Sequence, residues 1–183
     1  MASIIIGFSR SRSPWRIGSK LIQIAEKRPF SHAYFRYTCS LSGKEIVNQA
    51  SHGYINEMEY EIFKEDNIVV EEYQLTCTDC EYKELLEFLR SNLGRKYSQK
   101  QIFVIGCMKV LGIKKNVYVD GDKMDICSEW VAKGAKLISY ITQLPAILDT
   151  YTPSDLREYV WTQYNREKGN IHLIYSLIVD TTQ

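Results

Sequence analysis

A chain of 183 residues with 45% hydrophobic content and a formal charge of +1 is long enough to bury one core without metals or disulfides. Its balanced charge argues against a protein that binds nucleic acid through an overall basic surface. The apolar stretches 102–113 and 171–179 are shorter than the roughly 20 residues of a membrane-spanning helix. We therefore expect a single domain over residues 1–183 without a membrane span.

The first eight residues carry no basic leader, and their apolar run is shorter than the roughly 7–15 residues of a signal peptide. This favours a cytoplasmic location. Five cysteines, an odd number in a chain of this size, indicate reduced thiols. Cys77 and Cys80 have CxxC spacing, but no second pair or nearby histidine completes a tetrahedral site. We expect no metal and no other cofactor.

The first half of the chain predicts mainly strands. Residues 3–8 read as a short buried strand that the polar residues from Ser9 end, and Ser13-Pro14 starts an amphipathic helix that Pro29 stops. Aromatic and β-branched residues, turn residues and alternation then predict four further strands. These are residues 33–39 and 45–50, which form a hairpin, an edge strand over 53–63, and a strand over 68–75.

The second half changes to a helical period. Apolar spacing predicts a helix from about Tyr82 that ends before Gly94, and further helices over 99–111 and 127–141. Thr152-Pro153-Ser154-Asp155 is a strong helix start, because Thr caps, Pro fits the first turn and Asp completes a capping box. With a last strand over 171–179, the pattern predicts an α+β fold with a mostly antiparallel sheet.

Charge is unevenly distributed. Between residues 10 and 28 six basic residues stand against Glu26 alone, and between 57 and 72 seven acidic residues stand against Lys64. The basic segment would suit an acidic partner. We favour the simpler interpretation that both segments are solvated faces of a neutral protein.

Cys127 and His32 are candidates for a nucleophile and its base. Cys127 opens the predicted helix over 127–141, and a helix N-terminus favours the thiolate. His32 enters the strand over 33–39 and supplies an imidazole, which a reactive thiol needs within hydrogen-bond reach. Taken alone, Cys127 is more typical of a small buried side chain. Its order relative to His32 and to the motifs described below favours a nucleophile instead.

Four motifs occur in a characteristic order. They are Ser31-His32 entering a strand, Gly94-Arg95-Lys96-Tyr97-Ser98 before a helix, Cys127-Ser128-Glu129 opening a helix, and Thr152-Pro153-Ser154-Asp155-Leu156 near the end. This order resembles the circularly permuted, NlpC-like branch of the papain-like cysteine hydrolases, which is related to the lecithin:retinol acyltransferase group. The resemblance implies a permuted papain-like fold.

The resemblance also implies a cysteine amidase or peptidase, acting on cell-wall-type peptides through a thioester. Cys127, His32 and Gln49 would form the triad, with Gln49 where many relatives have Glu. An amide orients the imidazole but adds no charge. Tyr97 and Ser128 are candidates for the substrate cleft or the oxyanion site. Asn48 and His52 are substitutes for Gln49 if the strand register differs.

Other functions fit the same sequence. A thioesterase or acyltransferase acting on an acyl substrate is a close variant. A non-catalytic binding or virion-associated scaffold is a different class that the fold also allows. A phage-like lysis or injection route is the way in which a hydrolase without an export signal would reach a cell wall. Nucleic-acid binding through residues 10–28 is the least favoured.

Overall fold

A six-stranded antiparallel sheet forms the centre of the structure, with the strand order β4-β3-β2-β1-β5-β6. The computed structural model describes residues 2–13, 17–96, 104, 107, 111, 126–141, 151–167 and 169–177. The strands are β1 Ala2–Ser11, β2 His32–Thr38, β3 Glu45–Ser51, β4 Tyr54–Glu59, β5 Asn67–Cys77 and β6 Ile171–Ser176. The described helices are α1 Ile17–Glu26, α2 Tyr60–Asp66, α3 Asp79–Ser91, α4 Cys127–Ala135 and α5 Pro153–Arg166. The predicted α+β class and antiparallel sheet are confirmed.

The central strand β1 is longer than its apolar run. The prediction that polar residues from Ser9 end the strand is wrong, because the backbone continues to pair with β5 as far as Ser11 and Asn67. Main-chain hydrogen bonds do not depend on side-chain polarity. A register shift between Phe8 and Ser9 marks the point where the apolar part of β1 gives way to the polar part.

The predicted edge strand over 53–63 is only half right. β4 ends at Glu59, and a helix, α2, follows over Tyr60–Asp66. Phe63 of α2 is fully buried against the sheet. Burial of this one aromatic side chain overrides the strand propensity of the segment, as tertiary packing commonly does.

The two faces of the sheet carry different cores. The main apolar cluster contains Phe8, Phe35 and Tyr73 from the strands, together with residues of α3, α4 and α5. The smaller cluster on the opposite face consists of Tyr34, Val47, Phe63 and Val69, and α2 covers it. Consecutive residues of a strand point to opposite faces, which is why the neighbours Tyr34 and Phe35 belong to different clusters.

The predicted helix start at Thr152 is confirmed. Thr152 Oγ1 accepts a hydrogen bond from the Asp155 N–H at 3.3 Å, and the Asp155 carboxylate accepts from the Thr152 N–H at 2.9 Å. The predicted helix over 99–111 lies almost wholly outside the described residues. Among the helices described above, none combines the length and apolar character needed to cross a membrane.

Candidate active site

His32 and Gln49, predicted as site residues from the sequence, are in direct contact. His32 is the first residue of β2, and Gln49 is a buried residue of β3. His32 Nε2 and Gln49 Oε1 lie 2.7 Å apart, within the range of a good hydrogen bond. The imidazole is therefore tied to the neighbouring strand through a neutral amide.

The direction of this hydrogen bond follows from the groups behind it. Asn56 Nδ2 donates to the backbone carbonyl oxygen of Ser51 at 3.0 Å and to that of Tyr54 at 3.3 Å. A carbonyl oxygen can only accept, so the Asn56 atom that faces them is its NH₂ group. Asn56 Oδ1 then accepts from Gln49 Nε2 at 3.3 Å. Gln49 is left with Oε1 towards His32, so Nε2 of the imidazole carries the hydrogen. In the neutral ring Nδ1 is the basic nitrogen.

The pairing of β2 with β3 ends just before these residues. It runs from Thr38–Glu45 to Phe35–Asn48. Beyond that last pair, β2 continues beside β1 through His32, and β3 continues beside β4 through Gln49. The hydrogen bond between the two side chains thus spans the place where the backbone ladder between their strands has ended.

Helix α4 packs over that last pair, on the side of the main core. Trp130 Nε1 donates to Asn48 Oδ1 at 2.9 Å. Gly134 lies against the Phe35 ring, where a Cβ atom would come within 2.7 Å of a ring carbon. A glycine at 134 therefore lets the helix approach β2 closely. Asn48, a substitute for Gln49 in the sequence analysis, is engaged by this helix instead.

Cys127 is the first residue of α4 and is only 2% exposed. It belongs to the main core cluster, as do Ala33 and Ala50, which follow His32 and Gln49 directly in the sequence. Both neighbours are alanines, so the core-facing side chains next to His32 and Gln49 are small and fully buried. The start of α4 is fixed by the Glu129 carboxylate, which accepts the Ile126 N–H at 3.0 Å.

The remaining predicted site residues have other surroundings. Ser128 is fully buried, and its hydroxyl donates to the Tyr151 carbonyl oxygen, which joins α4 to the segment before α5. Tyr97 lies outside the described residues. His52 is in the β3–β4 turn with φ +55°, and its Nδ1 lies 3.0 Å from Ser51 Oγ.

A polar network lies on the same face of the sheet as His32. The His32 and Tyr34 rings are neighbours on β2, with their centroids 6.5 Å apart. The Tyr34 hydroxyl donates to Glu72 at 2.8 Å, and the Arg36 guanidinium holds the same carboxylate through two bonds of 2.9 and 2.7 Å. Burial, and then the charge of Glu72, raise the pKa of Tyr34 well above its usual value. Tyr34 is therefore a hydrogen-bond donor at physiological pH.

Sequence reasoning missed two sets of contacts next to His32, those of Asn56 with Gln49 and those of Ser31 with α1. Asn56 stands directly opposite Gln49 in the β3–β4 pairing, a position that only the exact hairpin register reveals. Ser31 precedes His32, and its Oγ contacts Ser19 Oγ and accepts from Gln23 Nε2 at 3.1 Å, both on α1. The spacing of Ser19 and Gln23 by one helical turn was the available signal for this contact.

The two cysteines of the CxxC spacing have different surroundings from Cys127. Cys77 is buried, and burial raises the pKa of its thiol to about 12. Cys80, its CxxC partner, is exposed on α3. Within the described ranges, no group of three or more His, Cys, Asp or Glu side chains is arranged to hold a metal ion.

Comparisons with family models and with curated proteins gave no match to this chain. The permuted papain-like fold therefore stays a prediction, and the functional argument depends on the geometry around His32.

Proposed function

We propose that the protein is a cysteine hydrolase in which Cys127 is the nucleophile, His32 the base and Gln49 the residue that orients it. The observation that carries the proposal is the 2.7 Å hydrogen bond from His32 Nε2 to Gln49 Oε1. It places the proton on Nε2 and makes Nδ1 the nitrogen that would take the thiol proton.

Acylation follows from these roles. His32 Nδ1 takes the proton of Cys127, and the thiolate attacks the carbonyl carbon of an amide or ester. The tetrahedral intermediate collapses when the bond to the leaving group breaks, and the proton on His32 passes to that group. The product is an acyl group on Cys127 in thioester linkage. The first N–H groups of α4 favour negative charge at this place.

The arrangement of the strands supports an approach of the two residues. Cys127 and His32 are each the first residue of their element. The β2–β3 ladder ends at Phe35–Asn48 under α4. A side chain at the start of that helix can then reach the site without crossing a continuous hydrogen-bonded sheet.

The amide at Gln49 sets the expected strength of catalysis. A carboxylate in its place would stabilise the imidazolium by charge, whereas an amide contributes orientation and one neutral hydrogen bond.

Peptides and other amides are the substrates that the proposal favours. A thioesterase or acyltransferase would use the same three residues with a different acyl donor or acceptor.

An activated ester tests the proposal without knowledge of the substrate. p-Nitrophenyl acetate should transfer one acetyl group to Cys127, located by peptide mass spectrometry. His32→Ala should slow acetylation by about 10²-fold or more, as expected for loss of a general base. Cys80→Ala, at an exposed thiol, is the matched control and should leave the rate unchanged. Acetylation that is spread over the exposed thiols, and unaffected by His32→Ala, would contradict the proposal.

One observation favours a second candidate, the non-catalytic scaffold. Cys127 is 2% exposed and packs in the main core, as an inert cysteine would. On that account Cys127→Ala leaves a small cavity and lowers stability by about 1 kcal/mol. A scaffold would give no acetyl-enzyme at Cys127, whereas the hydrolase would.

A further inference from the structure

Ser9 of β1 carries a buried hydroxyl that the fold does not use. The residue is 0% exposed. Its Oγ has no hydrogen-bond partner in the part of the chain that the structure describes. A buried hydroxyl without a partner costs stability, so such a group in a folded protein calls for an explanation.

The position of Ser9 relates it to His32. The two residues are direct partners in the antiparallel β1–β2 pairing, so their side chains lie on the same face with Cβ atoms about 4.5–5.5 Å apart. Gln49 approaches the imidazole from β3, on the other side of β2. The main chain of Ser9 also holds the base, because its carbonyl oxygen accepts the Ser31 N–H at 3.0 Å.

Packing alone does not account for the hydroxyl. Ser9 lies at the register shift between β1 and β5, where Val69 is its partner. A small side chain suits that place, but alanine would fill almost the same space without burying an oxygen. The hydroxyl therefore points to a polar atom that arrives during the reaction.

We propose that Ser9 positions the water that hydrolyses the acyl-enzyme, an inference that rests on the proposed function. Water donates one proton to His32 Nδ1 and its oxygen bonds to the thioester carbonyl carbon. The C–S bond then breaks, the acid leaves, and the proton returns from His32 to the Cys127 sulfur. Ser9 Oγ holds the water by one hydrogen bond beside the imidazole. It is a positioning residue for deacylation and has no part in acylation.

The test compares Ser9→Ala with Ser3→Ala in the full chain. Ser3 is on the same strand, and its hydroxyl accepts from Gln74 Nε2 at 3.0 Å, so the chemical change is the same at a place outside the site. With p-nitrophenyl acetate, Ser9→Ala should leave the acylation burst unchanged and slow the turnover that follows about three- to tenfold, the value of one hydrogen bond. Ser3→Ala should change neither rate.

Two further measurements separate positioning from a structural role. Hydroxylamine attacks a thioester without a positioned water, so it should release the acetyl group equally fast from Ser9→Ala and from the unmodified protein. Ser9→Ala should also melt at the same temperature or a few degrees higher, because a buried polar atom without a partner is removed. A lower melting temperature with equal slowing of both kinetic steps would overturn the inference.

The outcomes also distinguish this inference from the proposed function. If the unmodified protein forms no acetyl-enzyme at Cys127, the proposed function fails. If it forms one and Ser9→Ala deacylates at the unmodified rate, only the role of Ser9 is refuted.

Discussion

The two faces of the sheet differ in what they bury. One face is covered by α3, α4 and α5 and holds a large apolar cluster that includes Cys127 and Trp130. The other face has a cluster of four residues under α2, surrounded by polar groups that include the Arg36–Glu72 pair and the His32–Gln49 contact. The apolar face contributes the candidate thiol, and the polar face contributes its candidate base.

The proposed function would give each face its own role. Apolar packing fixes the position of α4 to within side-chain dimensions, which suits a nucleophile that must be held at a helix start. Hydrogen bonds fix orientation and protonation, which suits a base. The end of the β2–β3 ladder at Phe35–Asn48 is the place where both faces can contribute to one site.

The largest expected effect comes from breaking the ion pair on the polar face. Arg36 and Glu72 are almost fully buried, and loss of one partner of a buried pair costs about 3–5 kcal/mol. Glu72→Gln should therefore lower the free energy of unfolding, measured in urea, by about 3 kcal/mol. This value is near the low end of the range because Arg36 keeps its ion pair with Glu45.

The corresponding pair on the apolar face is the control. Glu71 neighbours Glu72 but holds Arg157 of α5, at 2.8 and 3.1 Å. Glu71→Gln should destabilise by a similar amount. Only Glu72→Gln should slow acetylation of Cys127 under conditions where both variants are folded, because Tyr34 lies between Glu72 and His32. Equal slowing in both variants would show that the faces do not differ in this way.

A glycine on each face provides the next comparison. A Cβ atom at Gly7 would collide with the Tyr34 ring, which crosses Gly7 on its way from β2 to Glu72 on β5. A Cβ atom at Gly134 would lie only 2.7 Å from a carbon of the Phe35 ring. Overpacking costs about 1–3 kcal/mol. We expect Gly7→Ala to lower the free energy of unfolding by an amount near the upper end of this range, and Gly134→Ala to lower it by less. Urea unfolding measures both losses. A larger loss in Gly134→Ala would contradict the rigid placement of Tyr34.

Asn56 tests the amide chain that orients the base. Asn56→Ala removes the acceptor that fixes Gln49 Nε2, so Gln49 can turn and offer its NH₂ group to His32. Acetylation of Cys127 should fall about three- to tenfold. Asn92→Ala, which removes an amide bonded to the Phe88 carbonyl oxygen on α3, is the matched control. An unchanged rate in Asn56→Ala would mean that Gln49 needs no support.

The smallest effect on stability is expected at the helix cap of the apolar face. Glu81 accepts the Ser139 N–H at 2.7 Å and caps α3 with Thr78. These hydrogen bonds, the one from Ser139 first, lower the pKa of Glu81 to about 2. Because the folded pKa is the lower one, the stabilisation is complete above the unfolded pKa of about 4.3 and is lost as the pH falls towards 2.

Glu81→Ala should therefore cost about 1 kcal/mol at neutral pH, and its stability should differ least from that of the unmodified protein near pH 2. Urea unfolding at several pH values measures this. A difference that stays constant between pH 7 and pH 2 would rule out the carboxylate as its source.

The sequence predicted those elements whose signals are local. Thr152-Pro153-Ser154-Asp155 contains its own cap, and β2 and β3 are marked by β-branched and aromatic residues on either side of a turn. α2 was missed because its formation depends on Phe63 reaching a core assembled from distant strands. The interpretation of 57–72 as a solvated face is wrong for Glu71 and Glu72, since their partners Arg157 and Arg36 come from other elements.

The candidate site was predictable to the same extent. His32 and Gln49 could be paired through the family resemblance, which implies a polar residue at Gln49 on the strand after the histidine strand. Asn56 and Ser9 could not, because their positions opposite Gln49 and His32 depend on the exact β3–β4 register and on a strand longer than its apolar run.

The most direct test of the account is the pH dependence of Cys127 alkylation by iodoacetamide. An activated thiol paired with His32 should be alkylated well below the free-thiol pKa of about 8.5, faster than the exposed Cys80, and His32→Ala should move its profile towards that of a free thiol. Alkylation of Cys127 no faster than that of a model thiol, with the same profile in His32→Ala, would contradict the central claim that Cys127 and His32 act together.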